Sequence, residues 1–240
     1  YEAHSQTGHD EVMTKYGFTG AGQTVAVIDS GIAYSHYALG GGLGANYRVV
    51  GGYDFTENDS DPYDDGPHGG HGTHVAGIIG ADNPGGEDTG VATGGDLVGL
   101  RVFGDDGKGH FGWVEDSLDW VLANQFTYAR PLTAINLSLG AEWNNTSNPS
   151  WAMLEDEFAA IEAAGIFISV SAGNSFLEPY TVDEVAWLGT SHVGARLPRG
   201  RAVLEGGVRV TGVPSRATVY AEPRRALRMA TGWPGGGPDA

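Results

Sequence analysis

Residues 24–29 read "TVAVID". The run is short, apolar and β-rich, and it ends in a carboxylate, Asp29. A continuous apolar run of this length reads as a strand buried on both faces. Outward from it, strand-like and helix-like segments alternate. "YRVVGGYDF" (47–55), "DLVGLRVF" (96–103), "TAINLSLG" (133–140) and "IFISVSAG" (166–173) read as strands. "THVAGIIG" (73–80) reads as an apolar helix. "GWVEDSLDWVLAN" (112–124) has helical spacing through Trp113, Leu118, Trp120 and Val121. "WAMLEDEFAAIEAAG" (151–165) is an amphipathic helix stopped by Gly165. This alternation predicts an α/β fold, a parallel sheet with helices on both faces. Functional groups in such sheets gather at the carboxyl ends of the strands.

The 240 residues suffice for one sizeable α/β domain. The absence of cysteine excludes a disulfide framework and thiolate chemistry. No apolar run is long enough to span a bilayer, so no membrane partner is expected. The net charge is −17, and residues 1–195 carry 27 acids against five Lys and Arg. Such a body repels a phosphate backbone, which argues against nucleic acid. Residues 196–240 reverse the sign, with eight Arg and three acids. The strand–helix alternation fails at about residue 190. The reading is therefore one domain over 1–190 and an Arg/Gly/Pro-rich tail over 191–240, poorly ordered, with weak strand signals such as "RAVLEGGVRV".

Three polar positions carry the chemistry. Asp29 follows a buried strand, where a carboxylate can orient a histidine and stabilise its charged form. His71 stands at a glycine-lined helix start, and imidazole is the usual general base near neutral pH. Asn174, in "ISVSAGNS", ends another strand, where its amide could stabilise an oxyanion. Each alone is explained by capping or turn formation. Their order and context together disfavour that explanation.

With these residues the chain resembles the subtilases, the subtilisin-like serine endopeptidases. "VAVIDSGI" looks like the family's aspartate motif and "HGTHVAG" (71–77) matches its histidine motif. "INLSLG" (135–140) resembles the substrate-binding strand and "SAGN" (171–174) the oxyanion asparagine. The resemblance covers about residues 15–175. It implies a subtilisin-like sheet and peptide-bond hydrolysis through an Asp-His-Ser triad. It also implies a secreted, monomeric protein and a polypeptide substrate held as an extended strand. Ser138, Leu139 and Gly140 would line one side of that strand, and residues from Leu100 to Gly104 the other. Gly107 to Gly109 reads equally as part of that rim or as a hairpin turn.

The departure is the serine. The family carries it in Gly-Thr-Ser-Met-Ala at the start of a buried helix. Here Gly189-Thr190-Ser191 stands only 17 residues after Asn174, and Pro198 and Gly200 break any following helix. The expected reading is a domain truncated or aberrant in its C-terminal part, with Ser191 not held against His71. A shortened but complete enzyme using Ser191, a non-catalytic peptide-binding module, and a metal hydrolase built on His68, His71 and His74 are the alternatives. The loop "NDSDPYDD" (58–65) places Asp59, Asp61, Asp64 and Asp65 together as candidate ligands for a structural Ca²⁺. A solvated acidic turn accounts for it equally. No organic cofactor is expected.

Overall fold

Strand β1 (Thr24–Asp29) occupies the middle of the sheet, and its Ala26, Val27 and Ile28 are fully buried. The computed structural model describes residues 2–83, 89–140 and 154–171, together with the backbone of 202–203, 209–213 and 216–218. β1 runs parallel to β3 (Asp96–Arg101) on one side and to β4 (Leu132–Leu137) on the other. β2 (Val49–Asp54) lies parallel on the outer side of β3. With β5 (Phe167–Val170) the strand order is β2-β3-β1-β4-β5. From β1 the chain runs outward to β2, returns to β3, then crosses to β4 on β1's other side. The carboxyl end of β1 is therefore the switch point, where open α/β sheets form their binding crevice.

The chain divides into two units, 1–136 and 137–240. In the first, helix α3 (His71–Gly80) covers one face of β1. Its Val75 and Ala76 pack into a core with Val27, Leu97, Val49, Ile32 and Leu39. Side chains alternate along a strand, so Ala26 and Ile28 point to the opposite face. Helix α4 (Phe111–Ala123) also packs on β1 and buries Val114, Ser117, Leu118 and Val121. Burial on both faces is why the β1 run is continuously apolar. The buried stripe of α4 differs from the expected one. Trp113 and Trp120 are only half-buried, and Val114 and Ser117 take the inner positions. Both inner residues are small, which suits a helix laid close on a sheet.

In the second unit α5 (Glu155–Ala163) packs on β5 and buries Phe158 and Ile161. The Ser171 N–H donates to the Leu137 carbonyl. The tail, expected to be poorly ordered, contains a small antiparallel sheet of β6 (Ala202–Val203), β7 (Arg209–Val213) and β8 (Arg216–Thr218). Two helices precede β1: α1 (Glu2–Thr7) and α2 (His9–Tyr16). Sequence reading missed them because α2 buries none of its residues and so has no apolar stripe to detect.

The strand ends are tied together by one cation. Arg101, at the end of β3, is 2% exposed, and Asp54, at the end of β2, is 1% exposed. Arg101 Nη1 is 3.0 Å from Asp54 Oδ2 and 2.9 Å from Asp65 Oδ1, and Nη2 is 2.7 Å from Asp105 Oδ1. Arg101 Nε donates to the Phe103 carbonyl at 3.2 Å. The other oxygen of Asp54 accepts from the Thr56 and Glu57 N–H groups and the Thr56 hydroxyl. Removing one member of a buried pair leaves the other uncompensated, at a cost of about 3–5 kcal/mol. Arg101→Met is expected to lower urea-unfolding stability by about that much. A loss below about 1 kcal/mol, the range of a surface pair, would show that the network carries little.

Candidate active site

Asp29 ends β1 with its side chain fully buried, while that of His71, the first residue of α3, is 59% exposed. His71 Nδ1 lies 2.8 Å from Asp29 Oδ1 and 3.0 Å from Oδ2. A carboxylate can only accept, so Nδ1 carries the proton and the neutral ring leaves Nε2 as a bare base. The Ser30 N–H also donates to Asp29 Oδ1, at 2.7 Å. Burial raises the Asp29 pKa; the His71 hydrogen bond, the Ser30 N–H and the His71 charge pull it down, and the nearby Asp64 charge raises it.

The approach of α3 to β1 depends on two glycines. A Cβ on Gly72 would collide with the Gly31 carbonyl oxygen and would lie 3.0 Å from Asp29 Cβ. Gly31 has φ +106, and a Cβ there would sit 2.8 Å from the Pro62 carbonyl oxygen. Polar bonds then lock the contact. The Gly72 N–H donates to Ser30 Oγ at 2.9 Å. Thr73 Oγ1 accepts from the Ala33 N–H at 2.9 Å and donates to Asp64 Oδ2 at 2.5 Å.

Asp64 is a helix cap supplied from outside the helix. The N-cap position is Gly70, which has no side chain to offer. Asp64 Oδ2 accepts from the N–H groups of Gly70 and Thr73 instead, at 2.8 and 3.1 Å. Sequence reading passed over Ser30, Thr73 and this role of Asp64. The available signal was a glycine-flanked helix start lacking its own cap, with an Asp six residues upstream.

The subtilase family model matches residues 20–195. The chain belongs to the subtilase family. Subtilisin E of Bacillus subtilis is 34% identical over 158 residues, 66% of this chain and 36% of that protein. The alkaline serine exoprotease A of Vibrio alginolyticus is 37% identical over 158 residues, 66% of this chain and 25% of that protein. The crystal structure of a cold-adapted subtilisin-like serine proteinase matches with a TM-score of 0.51 at 37% identity, over 66% of this chain and 49% of that one. This subtilase chain thus spans a quarter to a half of the length of these relatives.

Of the residues expected in the subtilase site, Asp29 and His71 are brought together. Asn174 and Ser191 lie outside the described residues. Leu100 is a correction. It is fully buried in β3, paired with Ile28 on one side and Tyr53 on the other, so neither its side chain nor its backbone edge is free for substrate. Ser138, half-buried, Leu139, buried, and Gly140, exposed, follow β4 in the second unit, and Ser171 Oγ donates to the Leu139 carbonyl. Gly107 belongs to a tight turn: its N–H donates to the Gly104 carbonyl, and the Gly104 N–H donates to that of Lys108.

The four loop aspartates are divided among separate partners. Asp59 Oδ1 accepts from the Asp61 N–H, Asp61 from the Tyr34 hydroxyl, and Asp64 and Asp65 bind the α3 start and Arg101. They do not gather into a common ligand cluster among the described residues, nor do His68, His71 and His74.

Two outcomes follow from the geometry. Gly72→Ala is expected to lower stability by about 1–3 kcal/mol through overpacking. Gly77→Ala, in the same helix but with open space at its Cβ, should be neutral or stabilising by up to about 1 kcal/mol. Equal effects in thermal melts would refute the close-approach argument. The second concerns pH. A raised folded pKa means that Asp29's contribution to stability is full below the ordinary Asp range, about 4, and is lost as pH rises through the folded value. Asp29→Asn should therefore melt higher than the parent at neutral pH, with the gap closing as pH falls. A variant less stable across the whole range would contradict this.

Proposed function

We propose that the chain is a subtilisin-type serine endopeptidase domain in which Asp29 and His71 handle the proton, and that Ser191 does not serve as its nucleophile. The observation that carries the reading is the bond from His71 Nδ1 to the buried Asp29 carboxylate, with the rest of the ring open to solvent. In the reaction, a serine Oγ attacks the peptide carbonyl as His71 Nε2 takes its proton. His71 then returns the proton to the leaving amine, and water repeats the cycle on the acyl-enzyme. Asp29 holds the tautomer and stabilises the imidazolium without itself taking the proton. Asn174 is the oxyanion donor in this reading. The substrate is a polypeptide bound as an extended strand beside Ser138 to Gly140. The extracellular setting rests on resemblance to the subtilisins. No helix among the described residues is long and apolar enough to cross a membrane.

Two measurements test the two halves. Imidazole ¹⁵N NMR of the neutral ring should find His71 protonated on Nδ1 and bare on Nε2. Asp29→Asn should lose that preference. An Nε2–H tautomer in the parent would remove the general base. A fluorophosphonate should leave no adduct, and peptide turnover should stay at background, since losing the nucleophile of such a triad costs about 10⁶ in kcat. An adduct on Ser191, abolished by Ser191→Ala and by His71→Ala, would overturn the second half and restore a complete enzyme.

A further inference from the structure

The N-terminal helices hold a second group of ligating side chains. His4 on α1 and His9 and Asp10 at the start of α2 bring one ligand-capable atom each to within 4.8 Å of one another. Gly8, left-handed at φ 77, turns the chain between the two helices. The turn brings the imidazole rings together, with centroids 4.4 Å apart.

His9 is set apart by its hydrogen bonding. Its Nε2 lies 3.0 Å from the Val91 carbonyl oxygen. A carbonyl accepts only, so Nε2 bears the proton and Nδ1 of the neutral ring is a bare lone pair. That Nδ1 is buried and has no hydrogen-bond partner. Asp10 Oδ1 stands 4.0 Å from it, too far for a hydrogen bond. A buried acceptor without a donor is unfavourable. Beside a second imidazole and a carboxylate, a cation would satisfy it. A ligating histidine typically has its other ring N–H fixed by a carbonyl or carboxylate in this way.

We propose that His4, His9 and Asp10 form a binding site for one divalent transition-metal ion of the zinc class. Two imidazoles and one carboxylate suit such an ion, with water in the fourth position. They suit Ca²⁺ poorly, because Ca²⁺ takes oxygen ligands. Bonds of about 2.0–2.2 Å need ligand atoms roughly 3.4 Å apart. Exposed Asp10 and half-buried His4 close that gap by side-chain rotation, while His9 stays anchored. The Asp10 charge also offsets the positive end of the α2 dipole.

The ion would serve as a clip. α2 buries none of its residues, so apolar packing holds it weakly. The Val91 N–H donates to the Ile78 carbonyl of α3. A metal on His9 would thus fasten α1 and α2 to the far end of the helix that begins with His71.

Calorimetric titration of the full chain with zinc chloride at about pH 7.5 tests this. One equivalent is expected to bind. His9→Gln, His4→Gln and Asp10→Asn should each weaken binding about 10-fold or more. A triple variant of His68, His71 and His74 to Gln should retain it, and calcium chloride should not compete. Because α2 buries no residue, circular dichroism should find the ligand variants folded. Hydrogen exchange in α2 should slow on zinc addition in the parent only. Undiminished zinc binding in the His4→Gln/His9→Gln double variant, or no binding below about 100 μM zinc, would overturn the proposal.

Discussion

A fully buried carboxylate at the end of β1 is the constraint around which the domain is organised. An ion in that position needs donors, because burial without them is costly. Ser30 supplies a backbone N–H from the next residue, and His71 supplies a ring N–H from 42 residues away. The second donor can reach only if α3 begins directly over the strand end. That approach forbids a Cβ on Gly72 and demands the left-handed turn at Gly31. The Asp29–His71 hydrogen bond and the packing of α3 on β1 are therefore one requirement. The pKa of Asp29 stays raised because burial outweighs the His71 and Ser30 hydrogen bonds that oppose it.

The neighbouring strand ends are organised by the same physics with the sign reversed. Arg101 is a buried cation, and it draws in Asp54 from β2 and Asp65 and Asp105 from the loops that follow β2 and β3. The loop that begins at Asp54 then carries Asp64 to the α3 start. Charge compensation at Arg101 and capping at Gly70 thus belong to one stretch of chain. The aspartates of that run are thus divided among separate partners. Two of its four carboxylates are bound to Arg101 and to the helix start, and the other two accept from Tyr34 and from the loop backbone.

Much of this architecture is legible in the residue order. Apolar runs and helical spacing are local signals, and they located β1 to β5 and α3 to α5 to within a few residues. The identities of Asp29 and His71 were equally legible, because "VAVIDSGI" and "HGTHVAG" are contiguous motifs. The antiparallel strands of the tail were faintly written in "RAVLEGGVRV". α1 and α2 left no trace, since a helix that buries nothing imposes no pattern.

The sequence by itself determined the α/β class, the order of the elements and the two residues, Asp29 and His71, that meet at the strand end, because each rests on short-range pattern or on a contiguous motif. Only the tertiary structure decided where polar groups find their partners. Leu100 looks like a substrate contact in a motif but is walled in by β1 and β2. Asp64 is one of four aspartates in an acidic run, and its Oδ2 caps a helix six residues on. His9 looks like an ordinary surface histidine until the carbonyl of Val91, 82 residues away, fixes its tautomer. Hydrophobic periodicity is a property of neighbours in the chain. Hydrogen-bond satisfaction is a property of neighbours in space, and it exists only once the chain has closed.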